Sequence, residues 1–495
     1  MVYLIYRPFF ILFLLVFNYQ SKASFDFNEE LLTAYNHVFE LKTITARKEI
    51  NQILTKDKNN GIAIYLENYI DVIECIITGE TDRYNVLKGK TDNRIAQIEN
   101  IKSNSPYKGF IISELKLQQA FTKIYFQERI SAFWSLRQAY KIAKKNSEAH
   151  PSFLPSKKTI GLLEILIGSV PDEHKWIVNS VGLNGTHQHG LALLNEVIES
   201  NGPQKKETQL LIYLTQFYIL QNNPIEQLKE VNKIYQADRE NLLTAFIYAS
   251  MLYKQGRNEE TISVLTRLPD GHEYIDFHYL TTMLGDCYLY KGQYKLALTN
   301  YLFFLKHYKG QHYIKSTHFK ASLAYWLLDD LDKAEKERLL TTQTGVEYFD
   351  SDKKAMKYAK QNISLNKILL QAQLYHDGGY YNDALSLLNK HDVSTFKSHT
   401  EQLEYFYRKG RIYQKIGFTD KAIRHYISAI NTTKDGDNFY FAPNACLQLG
   451  YIFRDLKDTE KAIYYFKKAT QYSGHEYKNS IDSQAKSALN ELTTK

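Results

Sequence analysis

The sequence predicts an all-α protein, an α-solenoid built from stacked antiparallel helix pairs. Three observations predict it. The 495 residues hold only 9 prolines, and a chain that so rarely interrupts its helices favours long helical runs over many strands and turns. Apolar residues recur at helical spacing, as in "FTKIYFQERISAFWSLRQAYKIAKK" (121–145), where Ala132, Leu136 and Ala139 fall on one face. Small and aromatic residues also return at fixed offsets with a period near forty, which marks a repeat architecture.

Residues 1–23 read as an export signal. Arg7 supplies a positive start, Phe9 to Phe17 an apolar run, and Ser21 and Ala23 the small residues before a cut at Ser24. The run is shorter than the ~20 residues a membrane span needs. The alternative is an uncleaved anchor. Cleavage predicts a protein exported to the periplasm or cell envelope, with no transmembrane span left. The first cysteine, Cys75, is too far from the cut to carry a lipid. Loss of Arg7 and Lys22 takes the formal charge from +8 to +6. Basic pairs such as Lys157-Lys158 and Lys205-Lys206 stand close to acids and form no stripe, so no nucleic-acid partner is expected. Cys75, Cys287 and Cys446 each sit in an apolar helical pattern, the setting of a buried thiol that packs as a small hydrophobe.

Residues 24–150 read as divergent helical hairpins. Residues 151–200 break the rhythm with Pro151, Pro155 and Pro171 and several glycines. Two short helices are expected there, Ile160 to Ile167 and Trp176 to Val181, followed by the loop "VGLNGTHQHGLALL". For a metal, His187 and His189 stand two apart, which in a helix puts them on different faces. For a phosphate, Gly182, Gly185 and Gly190 match neither G-x-G-x-x-G nor a P-loop. The separate "GKT" at Gly89 to Thr91 lacks its first glycine, because Tyr84 stands there. The remaining reading is a helix entrance, with Gly182 and Gly185 in tight turns, Thr186 as N-cap and Gly190 allowing close packing.

Residues 201–495 carry the repeats. Gly285 is followed by Tyr288, Ala297 and Tyr301 at +3, +12 and +16, with Phe304 at +19. Gly410 is followed by Tyr413, Ala422, Tyr426 and Ala429 at the same offsets, and Gly450 by Phe453, Ala462, Phe466 and Ala469. A glycine in the first helix lets the second approach closely. Gly292 and Gly417 end the first helices. Degenerate copies run through Ala249 and Thr261, through Tyr325 and Ala334, and through Ala372 and Ala384, and the polar segment from Ser480 suits a capping helix.

These residues resemble the tetratricopeptide repeat, with Leu284-Gly285 and Leu449-Gly450 matching its Leu-Gly dipeptide; its tryptophan and closing proline are absent from the three copies. In addition, Gly161-Leu162-Leu163, Val170-Pro171, Val181 to Gly185 and Gly190-Leu191 resemble the insertion of the tetratricopeptide-repeat-39, or inclusion-body clearance, family. Leu183 and Thr186 replace the Phe and Asp usual there. The resemblance implies a non-enzymatic protein.

No nucleophile elbow, H-E-x-x-H or paired-carboxylate motif appears. The expectation is a non-enzymatic scaffold without cofactor or metal, binding a protein or peptide on the concave face of its first helices. A glycan-binding repeat protein and an unrecognised helical-repeat enzyme are the alternatives. The register places Tyr279, Asp286 and Tyr290, then Tyr407, Arg411 and Lys415, then Tyr451 and Arg454 on that face. Tyrosine with arginine is a blend enriched at recognition surfaces.

Overall fold

The computed structural model describes residues 25–493 apart from 171, 362–365 and 435. The export signal and its cleavage position, and Pro171, lie outside the described residues. Within them the secondary structure is helical, without a strand, and successive helices run in short-looped pairs. The all-α expectation holds. Two compact units divide the chain: residues 1–251 with 267–279 and 308–311, and residues 252–266 with 280–307 and 312–495.

The first unit is built from the helices that run from Glu29–Phe39 to Pro224–Ala237. Its largest core joins Leu31, Tyr35, Ile50, Ile64, Tyr65, Ile70 and Phe110. Beside this apolar core lies a buried ionic centre. Lys158 bridges Glu114 and Glu207 at 2.8 Å each. Tyr35 donates to Glu207 at 2.6 Å and Tyr69 at 3.1 Å, while Thr159 donates to Glu114. Burial disfavours charge on all three ions, but their mutual attraction outweighs it, raising the Lys158 pKa and lowering that of Glu207.

The segment after residue 150 forms longer helices than the sequence suggests, Pro155–Gly168 and Asp172–Ser180. Pro155 occupies the first helical turn, where its missing N–H costs nothing. The loop that follows is a helix entrance. Thr186 Oγ1 accepts from the His189 N–H at 3.2 Å and caps the helix His187–Glu199. A Cβ on Gly190 would stand 2.6 Å from the Gly161 carbonyl oxygen, and one on Gly161 2.7 Å from that of Gly190. The two backbones cross there in contact. Gly182 has φ +76° and makes a turn. Gly185 does not; it is small because its Cβ position is 2.6 Å from the Glu164 Cα. His189 Nδ1 meets Glu164 at 2.5 Å, while His187 Nε2 meets Ser169 at 3.0 Å. The two rings thus serve separate contacts.

In the second unit the glycine register is realised as close packing. A Cβ on Gly285, Gly410 or Gly450 would fall 2.6, 2.6 or 2.5 Å from the ring of Tyr301, Tyr426 or Phe466. Each aromatic at offset +16 therefore packs directly against the glycine sixteen residues before it. Left-handed Gly292 (φ +78°) and Gly417 (φ +82°) end the first helices Tyr279–Tyr290 and His399–Lys415. Ser398 and Glu401 start the latter with a reciprocal capping box. The final helix, Lys478–Thr493, buries Ile481, Ala485 and Ala488 against the preceding pair and closes the stack. All three cysteines are buried and free, and burial pushes the Cys75 and Cys446 thiols up to about 12, so they are inert hydrophobes.

Candidate partner-binding face

Seven of the eight residues assigned to the binding face belong to the second unit; Tyr279 belongs to the first, where its ring packs edge-on to Phe246 at 6.5 Å.

Asp286 is a core carboxylate. Its Oδ1 accepts from Tyr301 at 2.8 Å, and its Oδ2 accepts from Tyr253 at 3.0 Å and Lys320 at 2.6 Å. Both carboxylate oxygens are thus engaged within the fold. Tyr301 is the ring against Gly285, and its hydroxyl bonds the next residue of the first helix, Asp286, tying the pair together. Tyr290 stacks on Tyr253 with ring centres 5.8 Å apart, and their hydroxyls share a 2.8 Å hydrogen bond.

Tyr407 also departs from the expectation. It is 1% exposed and packs against Tyr426, Tyr440 and Phe441. It cannot offer contact area to a partner. Three residues before the glycine, its ring is covered by aromatics of its own second helix and of the next repeat. Its hydroxyl accepts from Arg411 Nη1 at 3.2 Å.

Arg411, Lys415, Tyr451 and Arg454 remain at the surface, half-buried except for the exposed Lys415. Arg411 and Arg454 lie over the rings of Tyr407 and Tyr451, at 5.9 and 5.0 Å. Arg454 is balanced by Asp455 at 3.4 Å and by Glu491 of the final helix at 3.7 Å. Among the described residues no carboxylate forms an ion pair with Arg411 or Lys415, which sit one turn apart on one helix face. Sequence reasoning passed over Arg408, which Glu404 fixes from one turn earlier and which donates to Gln373 of the preceding repeat at 2.8 Å. The i, i+4 spacing of Glu404 and Arg408 was the available signal. Tyr426, the ring over Gly410, donates to Gln414 at 2.6 Å, and Gln414 to Gln448 at 3.2 Å. Successive first helices are thus joined by amides, and Arg411 and Lys415 beside them make no direct ion pair among the described residues, though Asp377 acts on both Arg408 and Arg411.

Among the described residues no group of three or more His, Cys, Asp or Glu is placed to hold a metal ion. None of their helices is long and apolar enough to cross a membrane.

The tetratricopeptide repeat family profile matches residues 443–475. That span begins inside the helix Phe441–Asp455 and contains Gly450, Phe453, Ala462, Phe466 and Ala469, the third copy of the offset pattern. This is a helical repeat protein of the tetratricopeptide type. No curated protein sequence matches the chain. Among solved structures, the human IFIT1 dimer with PPP-AAAA is 14% identical, with 96% of each chain covered and a TM-score of 0.31. The Cut9–Hcn1 hetero-tetramer of the APC/C is also 14% identical, with 94% of each chain covered and a TM-score of 0.29. With scores this low, neither likeness carries weight for function. The narrower resemblance to the inclusion-body clearance family finds no support in these matches.

Proposed function

We propose that this protein is an exported, non-enzymatic scaffold that binds a protein or peptide along the first helices of its second unit. Tetratricopeptide repeats in general bind protein partners. The observation that carries the reading here is the pair Arg411 and Lys415, two cations on one first-helix face that form no ion pair among the described residues, the nearby Asp377 charge being shared between Arg411 and Arg408. Folded chains seldom leave a half-buried guanidinium without a paired acid unless something else supplies one. Tyr451 and Tyr290 border the same run of first helices with rigid contact area. The expected partner presents acidic side chains or a free carboxylate, for which a charge-assisted hydrogen bond to Arg411 is the strongest available contact.

The test is co-purification with the triple variant Arg411→Ala, Lys415→Ala and Arg454→Ala, its helicity checked by circular dichroism. Tyr407 stays intact, since removing it would open the core. Loss of the co-purifying protein at parental helicity supports the proposal; retention of every partner at parental levels sinks it. Export is tested separately by N-terminal sequencing of the mature protein, with Ser24 expected first.

A further inference from the structure

The helix Arg129–Ala149 turns Ala132, Ser135, Ala139, Tyr140 and Ala143 into the first unit. Its opposite side combines exposed apolar and basic residues. Ile130, Trp134, Arg137, Lys141 and Lys144 follow one another at intervals of four, three, four and three residues, so they fall in one stripe along the helix. Lys145 stands beside its end. Ile130 is 80% exposed and Trp134 48%. Ile124, in the last turn of the preceding helix, is also exposed, so this end of the hairpin carries exposed aliphatic side chains beside the Lys88–Glu128 ion pair. The helix carries five cations and a single carboxylate, Glu148. Among the described residues none of the five forms an ion pair. Arg129 donates to Gln127 at 2.9 Å, Arg137 lies over Trp134 and donates to the Val181 carbonyl at 2.8 Å, and Lys144 lies over Tyr140. The Arg137 bond ties the stripe to the end of the helix Asp172–Ser180, where Trp176 is 68% exposed. Two of the three tryptophans of the chain therefore face solvent in neighbouring elements.

We propose that this stripe docks the protein on an anionic phospholipid surface. Its two halves fit the two layers of such a surface. Exposed aliphatic and indole side chains gain by entering the headgroup–acyl boundary, where tryptophan in particular is stable with its ring buried and its N–H wet. The uncompensated lysines a few turns along the same stripe then reach lipid phosphates, each such cation near a charged bilayer adding to the binding. Arg137, stacked on Trp134, stands where the two halves meet. A single-stranded nucleic acid would satisfy the lysines and stack on the indoles, yet it gives Ile130 and Ile124 nothing to bury in; a lipid surface satisfies both. Docking of this kind is peripheral.

The experiment uses the full chain with two kinds of vesicle, phosphatidylglycerol mixed into phosphatidylcholine and phosphatidylcholine alone. Co-sedimentation with the mixed vesicles, accompanied by a blue shift of tryptophan emission and weakened by raised salt, is expected. Lys141→Glu with Lys144→Glu and Lys145→Glu should weaken that binding at least tenfold. Ile130→Ser with Trp134→Ser should abolish the emission shift while circular dichroism stays parental, because both residues lie outside the core. The proposal is overturned if the parent does not distinguish the two vesicles, or if both variants bind the mixed vesicles as the parent does. It is equally overturned if the lysine variant loses affinity for a single-stranded RNA oligomer that the parent binds in preference to the vesicles.

Discussion

A methyl group added at Gly450 is the most direct probe of how the repeats are held together. In the helix Phe441–Asp455 the missing Cβ would stand 2.5 Å from both Cδ1 and Cε1 of Phe466, a ring with no solvent exposure. Contact distances between carbons are about 3.5–4.0 Å, so the second helix must move by roughly 1 Å or the ring must leave its rotamer. Either route costs about 1–3 kcal/mol. Replacing a helical glycine by alanine returns about 1 kcal/mol of backbone propensity. The expected net effect of Gly450→Ala is a destabilisation of about 0–2 kcal/mol, read from the urea midpoint. Gly89 supplies the control. It lies within the helix Thr81–Asn100 with nothing inside 4 Å of its Cβ position, so Gly89→Ala should stabilise by about 0.5–1 kcal/mol. Shortening the ring isolates the cause. Phe466→Leu alone opens a cavity and costs stability, but in that background Gly450→Ala should be neutral or stabilising. If Gly450→Ala stabilises as much as Gly89→Ala, or costs the same with Leu at 466, the ring-over-glycine contact does not set the spacing of the pair. Gly450→Leu, with a larger group against the same ring, should cost more still, as should Leu at Gly285 or Gly410.

In the first unit, Lys158→Met leaves Glu114 and Glu207 buried without their cation and should cost about 3–5 kcal/mol; adding Glu114→Gln and Glu207→Gln should recover most of it in the same urea titration. His425 lies stacked on Tyr413, 5.2 Å between ring centres, and burial with neighbouring Lys409, Arg424 and Lys421 lowers its pKa from 6.5 to about 4. The folded state thus holds the neutral ring, and that stability is intact above about pH 6.5 and lost as pH falls towards 4, by roughly 1–2 kcal/mol for a ring partly screened by solvent. His425→Phe should flatten that part of the acid limb of the stability curve. Circular dichroism melts with and without chelator should coincide, and His187→Ala with His189→Ala should shift the midpoint by only what the Glu164 and Ser169 contacts contribute.

What the sequence made legible was whatever a single helix pair dictates by itself. Gly285 and Tyr301 lie sixteen residues apart and meet because a helix, a turn and a returning helix bring those positions together. The same local geometry placed Gly292, Gly417 and the Thr186 cap. What it hid was whatever the stacking of pairs decides. Lys158 follows Lys157 and reads as part of a solvated basic pair, yet it is enclosed by Glu114 and Glu207, 44 and 49 residues away. Tyr407 occupies a first-helix position that one isolated pair would leave open, and Tyr440 and Phe441 of the next repeat close it. Asp286 is consumed by Tyr253 and Lys320, again from other helices.

That same rule separates the cations of the candidate face. Arg408 and Arg454 are answered by Glu404 and Glu491, the first within its own helix and the second from the final one. Arg411 and Lys415 form no ion pair among the described residues; Arg411 feels the carboxylate of Asp377, which it shares with Arg408, while the contact from their helix to Phe441–Asp455 runs from Gln414 to Gln448, an amide. An amide satisfies hydrogen bonds but leaves charge uncancelled. If the register of the stack alone determined this surface, replacing Gln448 by glutamate would stabilise the fold by supplying the missing acid, with a gain of up to about 1 kcal/mol for a partly exposed pair. The proposed function predicts the same gain in urea together with a loss of partner binding, because the new carboxylate would compete for Arg411. Stability gained with binding unchanged would show that Arg411 is idle, and the partner would then have to be sought on another face.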